Sequence, residues 1–189
     1  MRPNKIVLIG ASTGGPGQIE KIIASLPKLY DTTLIIAQHM AVAFIPSFIS
    51  RVQKYSANTL LLTNESAILE SATIYFCSGR TTVVHSHHNL CFRVKEAKEC
   101  GYNPDINELF ASFVPFVKDI KILAIILTGI GDDGVSGCRD LSIAGANALT
   151  QTAQSAIVDG MTSRARNEVP NIEVLNMDQI QNRIKGFCS

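Results

Sequence analysis

Ile6-Val7-Leu8-Ile9-Gly10-Ala11-Ser12-Thr13-Gly14-Gly15 is the stretch on which the fold turns. Four branched apolar residues run without a break into a glycine-flanked serine, and Ile19, Ile22, Ile23 and Leu26 follow at helical spacing. A continuous apolar run bounded by glycine, then a 3.6-residue period, predicts a doubly buried strand feeding a helix through a tight turn. Such a turn offers one of two things at the mouth of a sheet. It cradles a phosphate on backbone N–H groups at a helix N-terminus, or it lifts a serine hydroxyl into the open.

Three templates test the turn. A phosphate-binding Walker loop needs Lys and then Ser or Thr after its last glycine, but Gly15 is followed by Pro16 and Gly17. The dinucleotide fingerprint needs Gly-x-Gly-x-x-Gly, and Ser12 stands where its second glycine belongs. Gly10-Ala11-Ser12-Thr13-Gly14 meets the Gly-x-Ser-x-Gly of a nucleophile elbow. A plain glycine-rich turn with Ser12 as helix N-cap stays open beside it.

Working outward, apolar runs alternate with helical stretches. Residues 34–37 predict a second strand, completing a βαβ unit, and residues 43–55 a helix with Phe44, Phe48 and Val52 on one face. Short strands are expected at 59–62 and 73–76. Residues 82–85 and 90–94 flank the polar turn Ser86-His87-His88-Asn89 and predict an antiparallel hairpin. A helix starting at Pro104 carries Ile106, Leu109, Phe110 and Phe113. Residues 122–127 are the most apolar strand, expected at the centre of the sheet, and run into a second glycine-rich turn, residues 128–137, ahead of a helix to about Ala144. A late strand at 147–151 and helices at 161–166 and 177–185 complete the pattern. The fold class is α/β: a doubly wound, mostly parallel sheet with one antiparallel hairpin, in a single domain.

Composition agrees with a well-cored globular chain: 189 residues, 46% hydrophobic and 17% charged, with net charge +1. That balance gives no electrostatic footprint for nucleic acid or an anionic membrane, and Arg164, Arg166, Arg183 and Lys185 are interspersed with acids as a solvated face would be. The apolar run at 6–9 is too short for a signal-peptide core or a membrane span, so a cytoplasmic protein is expected. Five cysteines without Cys-x-x-Cys spacing suggest reduced, mostly buried thiols rather than a disulfide framework or zinc knuckle. His85, His87 and His88 lack acidic or cysteine partners at ligand spacing and read as exposed loop residues, so no metal site is expected.

In a doubly wound sheet, sites gather at the carboxyl ends of the strands. The residues there are Ser12 after the first strand, Gln38 and His39 after the second, and Asp132 and Asp133 after the central one. A serine hydroxyl becomes a competent nucleophile when an imidazole takes its proton and a carboxylate fixes that imidazole's tautomer. The same residues have plainer readings, His39 as an idle strand-end histidine and the aspartates as a helix N-cap pair.

Together these residues resemble the catalytic domain of the chemotaxis protein-glutamate methylesterases, the CheB family. The family's Ile-Gly-x-Ser-Thr-Gly-Gly is matched by residues 9–15 and its Leu-Thr-Gly-Met-Gly-x-Asp-Gly by residues 127–134. Its Gln-His-Met, followed by a phenylalanine-containing helix, is matched by Gln38, His39, Met40 and residues 44–51. Weaker echoes lie at 104–110 and 154–161, so the resemblance spans nearly the whole chain. It implies one methylesterase catalytic domain over residues 1–189, with Ser12 as nucleophile, His39 as general base and Asp133 as orienting aspartate, Asp132 falling at a variable position. The backbone N–H groups of Thr13 and Ile130 become the oxyanion donors, Ile130 standing where the family has methionine.

The implied reaction is hydrolysis of glutamate γ-methyl esters on cytoplasmic helices of methyl-accepting chemoreceptors, releasing methanol without a cofactor. The same acyl-enzyme leaves room for deamidation of receptor glutamines. A receptor- or nucleotide-binding module that keeps the fold without turnover is the alternative. Departures from the family pattern fall at Ala41, Cys77-Ser78-Gly79, Asp105, Asn107 and Thr162, none of them a triad member. The family's receiver domain lies outside these 189 residues, which leaves an excised domain or a stand-alone enzyme under other control.

Overall fold

The computed structural model describes residues 2–86, 89–96 and 101–189. Nine strands and six α-helices alternate among them. The strands are β1 (Lys5–Ala11), β2 (Thr32–Gln38), β3 (Thr59–Leu62), β4 (Thr73–Phe76), β5 (Arg80–Ser86), β6 (Asn89–Lys95), β7 (Lys121–Ile126), β8 (Asn147–Gln151) and β9 (Glu173–Leu175). The helices are α1 (Gly15–Ser25), α2 (Ile45–Gln53), α3 (Ile106–Ser112), α4 (Val135–Ala144), α5 (Met161–Glu168) and α6 (Met177–Cys188).

Seven strands form one sheet in the order β3-β4-β2-β1-β7-β8-β9, every pair parallel. β5 and β6 pair antiparallel from Arg80 opposite Lys95 to Ser86 opposite Asn89, the expected hairpin. His87, His88 and Cys100 lie outside the described residues. The chain steps from β1 to β2 and β4 on one side and returns with β7 on the other. The order of winding therefore reverses between β1 and β7, which opens a crevice beyond their carboxyl ends.

Successive residues of β1 serve opposite faces. Ile6 and Leu8 join a core with Ile106 and Phe110 of α3, Cys138 and Leu141 of α4 and Met161 of α5. Val7, Ile9 and Ala11 join a second core with Ile19 and Ile22 of α1, Phe48 and Val52 of α2 and Ile180 and Ile184 of α6. Two apolar layers on one sheet make the strands continuous apolar runs, the pattern visible in the sequence. Cys77, Cys138 and Cys188 are buried in these layers, Cys91 is half-buried, and none of the four is in a disulfide.

Several expectations need correction. β7 is internal but one place from the middle: β1 holds the fourth of the seven positions, with β2 on one side and β7 on the other. α1 begins at Gly15, four residues before the apolar period, since Pro16 fits a first turn that needs no N–H donor. Phe44 is not on the apolar face of α2. Val42–Phe44 is a separate 3₁₀ turn, and Phe44 is left 65% exposed. β9 has three residues, none of them buried, and gave no periodic signal.

Candidate active site

The crevice between β1 and β7 is closed at its base by backbone bonds. Ser12 N–H donates to Thr128 O at 2.9 Å, Leu127 N–H to Gly10 O at 2.9 Å, and His39 N–H to Ala11 O at 2.9 Å. The ends of three strands are thereby fixed to one another before any side chain is considered. Gly14, at φ 84°, reverses the chain in the left-handed region and lets Gly15 N–H close on Ser12 O at 2.9 Å. On the facing loop Gly129 comes so close that a Cβ there would stand 2.6 Å from Ser12 Cβ. Only glycine admits that approach.

His39 and Asp133, 94 residues apart in the chain, meet directly: Nε2 lies 2.7 Å from Asp133 Oδ2. Asp133 is 1% exposed at its side chain and His39 13%. The buried carboxylate also accepts from Ile106 N–H at 2.9 Å and Asn107 N–H at 3.0 Å, the first two residues of α3. Backbone donors at a helix N-terminus favour negative charge, so the group opposite Nε2 acts as an acceptor. Nε2 then carries the ring proton, and Nδ1 is the nitrogen with the free lone pair. This is the reverse of the serine-protease arrangement, in which Nδ1–H faces the aspartate.

The plainer readings of these residues fail locally. α4 has Gly134 as N-cap with no side-chain cap bond, so Asp133 serves α3 instead of its own helix, and Asp132 is exposed. The N-cap of α1 is Gly14, again without a side-chain bond, so Ser12 is not capping it. Among the described residues the Ser12 hydroxyl makes no hydrogen bond. The backbone N–H groups of Thr13 and Ile130 also have no protein acceptor among the described residues, and both residues are exposed at the crevice mouth.

Two further contributors join the site, Gln38, which the sequence placed at the strand end without a role, and Tyr102, which carried no sequence signal. Gln38 is buried, and its Nε2 donates to Ser12 O at 2.9 Å and His39 O at 3.0 Å, joining the two segments. Tyr102 stacks on the His39 ring with centroids 4.8 Å apart and planes 5° from parallel. Three of the departures from the family pattern, Asp105, Asn107 and Thr162, have a structural account. Asp105 caps α3 by accepting from Glu108 N–H at 2.8 Å, and Asn107 Oδ1 accepts from Ser136 Oγ at 2.8 Å and Gly137 N–H at 3.0 Å. Thr162 Oγ1 donates to Asp159 Oδ1 at 2.6 Å. Asp159 is also held by Arg166 at 2.6 Å, and that guanidinium keeps its carboxyl below the usual carboxylate range. The loop so anchored supports Gly129, whose N–H donates to Val158 O at 3.0 Å and whose carbonyl accepts from Met161 N–H at 2.9 Å. Among the described residues no group of three or more His, Cys, Asp or Glu side chains is placed to hold a metal ion.

Comparisons with known proteins bear on the family and the fold. The chain is 34% identical over 181 residues to protein-glutamate methylesterase/protein-glutamine glutaminase 1 of Saccharophagus degradans, covering 95% of this chain and 49% of that protein. It is 30% identical over 191 residues to the protein of that activity name in Methanosarcina barkeri, covering 97% of this chain and 52% of the relative. The chain thus spans about half the length of the curated relatives it matches. The crystal structure of the Thermotoga maritima CheB methylesterase catalytic domain shares its fold, with TM-score 0.87 at 24% identity over 97% of this chain and 98% of that one. The sequence model described as CheB methylesterase matches residues 7–184, and the chain therefore belongs to the CheB methylesterase family.

Proposed function

We propose that residues 1–189 form a serine hydrolase domain that removes methyl groups from glutamate γ-methyl esters of chemoreceptors, working in the cytoplasm on their helical segments. The observation that carries this reading is the 2.7 Å bond from His39 Nε2 to a buried Asp133 carboxylate, on the rim where Ser12 stands. Ser12 Oγ attacks the ester carbonyl while His39 Nδ1 takes its proton, and Asp133 steadies the imidazolium that forms. The N–H groups of Thr13 and Ile130, without a protein acceptor among the described residues, are the donors for the oxyanion. Collapse breaks the bond to methoxide, which leaves as methanol with the proton from His39. Water then attacks the glutamyl-Ser12 ester with His39 as base again, giving free glutamate and restoring Ser12. A receptor glutamine would pass through the same acyl-enzyme with ammonia as leaving group.

The turn is poorly suited to a phosphate. Gly15 N–H is committed to Ser12 O, Pro16 has none, and a Cβ on Gly15 would collide with the Gln38 amide packed there. Among the described residues no helix is long and apolar enough to cross a membrane, in keeping with a partner that reaches out of the membrane to the enzyme. Ser12→Ala tests the assignment: methanol release from methylated receptor should vanish while the melting temperature holds. An unchanged rate would sink it.

A further inference from the structure

One stretch of chain reaches every part of the histidine–aspartate pair. Tyr102 lies face to face with His39. Asn103 next to it clamps the backbone just beyond that histidine, its carbonyl accepting from Met40 N–H at 3.0 Å and its Nδ2 donating to Met40 O at 2.7 Å. A few residues on, the N–H groups of Ile106 and Asn107 hold Asp133. The far end of Tyr102 borders the loop that carries Asp133, since a Cβ on Gly131 would stand 3.0 Å from the phenol oxygen. Tyr102 therefore sits between the imidazole and that loop, 44% exposed.

A histidine ring has a broad, roughly two-fold torsion at its second side-chain bond. The bond at Nε2 pins one atom of the ring and leaves its plane free to rock. An aromatic face lying parallel to the ring removes that freedom. Parallel rings at this separation attract one another, and a π-face attracts an imidazolium more than a neutral imidazole. The stack therefore strengthens when His39 receives the serine proton, which is the condition for an interaction to raise turnover rather than binding alone.

We propose that Tyr102 is a positioning residue for His39: its ring fixes the imidazole plane so that the Nδ1 lone pair stays presented to the Ser12 hydroxyl, a role that rests on the hydrolase reading above. The aromatic face does this and the phenol hydroxyl does not, since among the described residues that hydroxyl makes no hydrogen bond.

The test compares Tyr102→Leu with Tyr102→Phe in methanol release from methylated receptor, alongside nitrogen-15 NMR of the His39 ring assigned by its loss in His39→Gln. Tyr102→Leu should lower kcat about tenfold with KM little changed, and Tyr102→Phe should stay within about twofold of the unaltered chain. In the spectrum, the unaltered chain and Tyr102→Phe should show one neutral tautomer, protonated at Nε2, and Tyr102→Leu an exchange-averaged ring. The proposal is overturned if Tyr102→Leu keeps its kcat, if its loss lies in KM alone, if Tyr102→Phe is equally impaired, or if the His39 signals do not change. Should Tyr102→Leu fail to fold, Tyr102→Gln makes the same comparison. If the unaltered chain releases no methanol, the hydrolase reading falls, and the NMR arm still decides whether Tyr102 orders the ring.

Discussion

At Asp133 three donors converge on one carboxylate, two from the backbone of α3 and one from His39. Replacing it by asparagine keeps the size, but with the amide oxygen at the Oδ1 position, accepting from Asn107 N–H, an NH₂ group stands at the Oδ2 position, against Ile106 N–H and turned toward Nε2. The imidazole must then accept at Nε2 and carry its proton on Nδ1, the nitrogen that the proposed chemistry needs bare. Asp133→Asn should therefore lower kcat by about 10⁴-fold, the order seen for a wrong-tautomer substitution in a serine protease, with an intact fold by circular dichroism. Substantial activity in that variant would remove His39 from the role of base. Choosing Asp133 over Asp132 needed the family pattern, because spacing alone left both aspartates at the strand end. In three dimensions the difference is plain: one is enclosed and triply bonded, the other exposed.

α3 is the element on which the site leans, because its first two N–H groups are spent on Asp133 and its N-cap is Asp105. Asp105→Ala should cost about 1 kcal/mol in urea unfolding and also reduce kcat, as the fraying first turn releases the carboxylate. Asn176→Ala, which removes the capping box of α6 after β9, three strands from β1, should cost a similar amount and change kcat much less. Equal kinetic effects in the two variants would contradict a specific link between α3 and the site. β1, β2 and β7 were legible as strands because both faces are buried, and Ser12, His39 and Asp133 were legible because each follows one of them. Tyr102 follows no strand and belongs to no motif, and a contact between rings 63 positions apart leaves no local trace. The start of α1 and the exposure of Phe44 were misread for one reason: glycine, proline and a 3₁₀ turn shift where a helix begins without altering its apolar period.

Across the whole molecule the two apolar layers also set how stability responds to pH. Burial pushes the Cys138 thiol up to about 12 and Cys188 up to about 11, and raises Cys77 as well. A group whose folded pKa lies above its unfolded value contributes stability in full below the unfolded value, near 9, and loses it as pH rises toward the folded one. Unfolding free energy should therefore decline from about pH 9 upward, and Cys77→Ala combined with Cys138→Ala should flatten that decline relative to the parent chain. An identical slope in the two would rule the thiols out as its source. The reversal of winding between β1 and β7 has a further consequence. Ser12 is made more than a hundred residues before the strand that bonds it and the loop bearing Asp133. A nascent or partly folded chain thus has the serine without its apparatus. Under the proposed chemistry, hydrolytic power arrives only when β7 closes on β1, and not while Ser12 stands on an unfinished sheet.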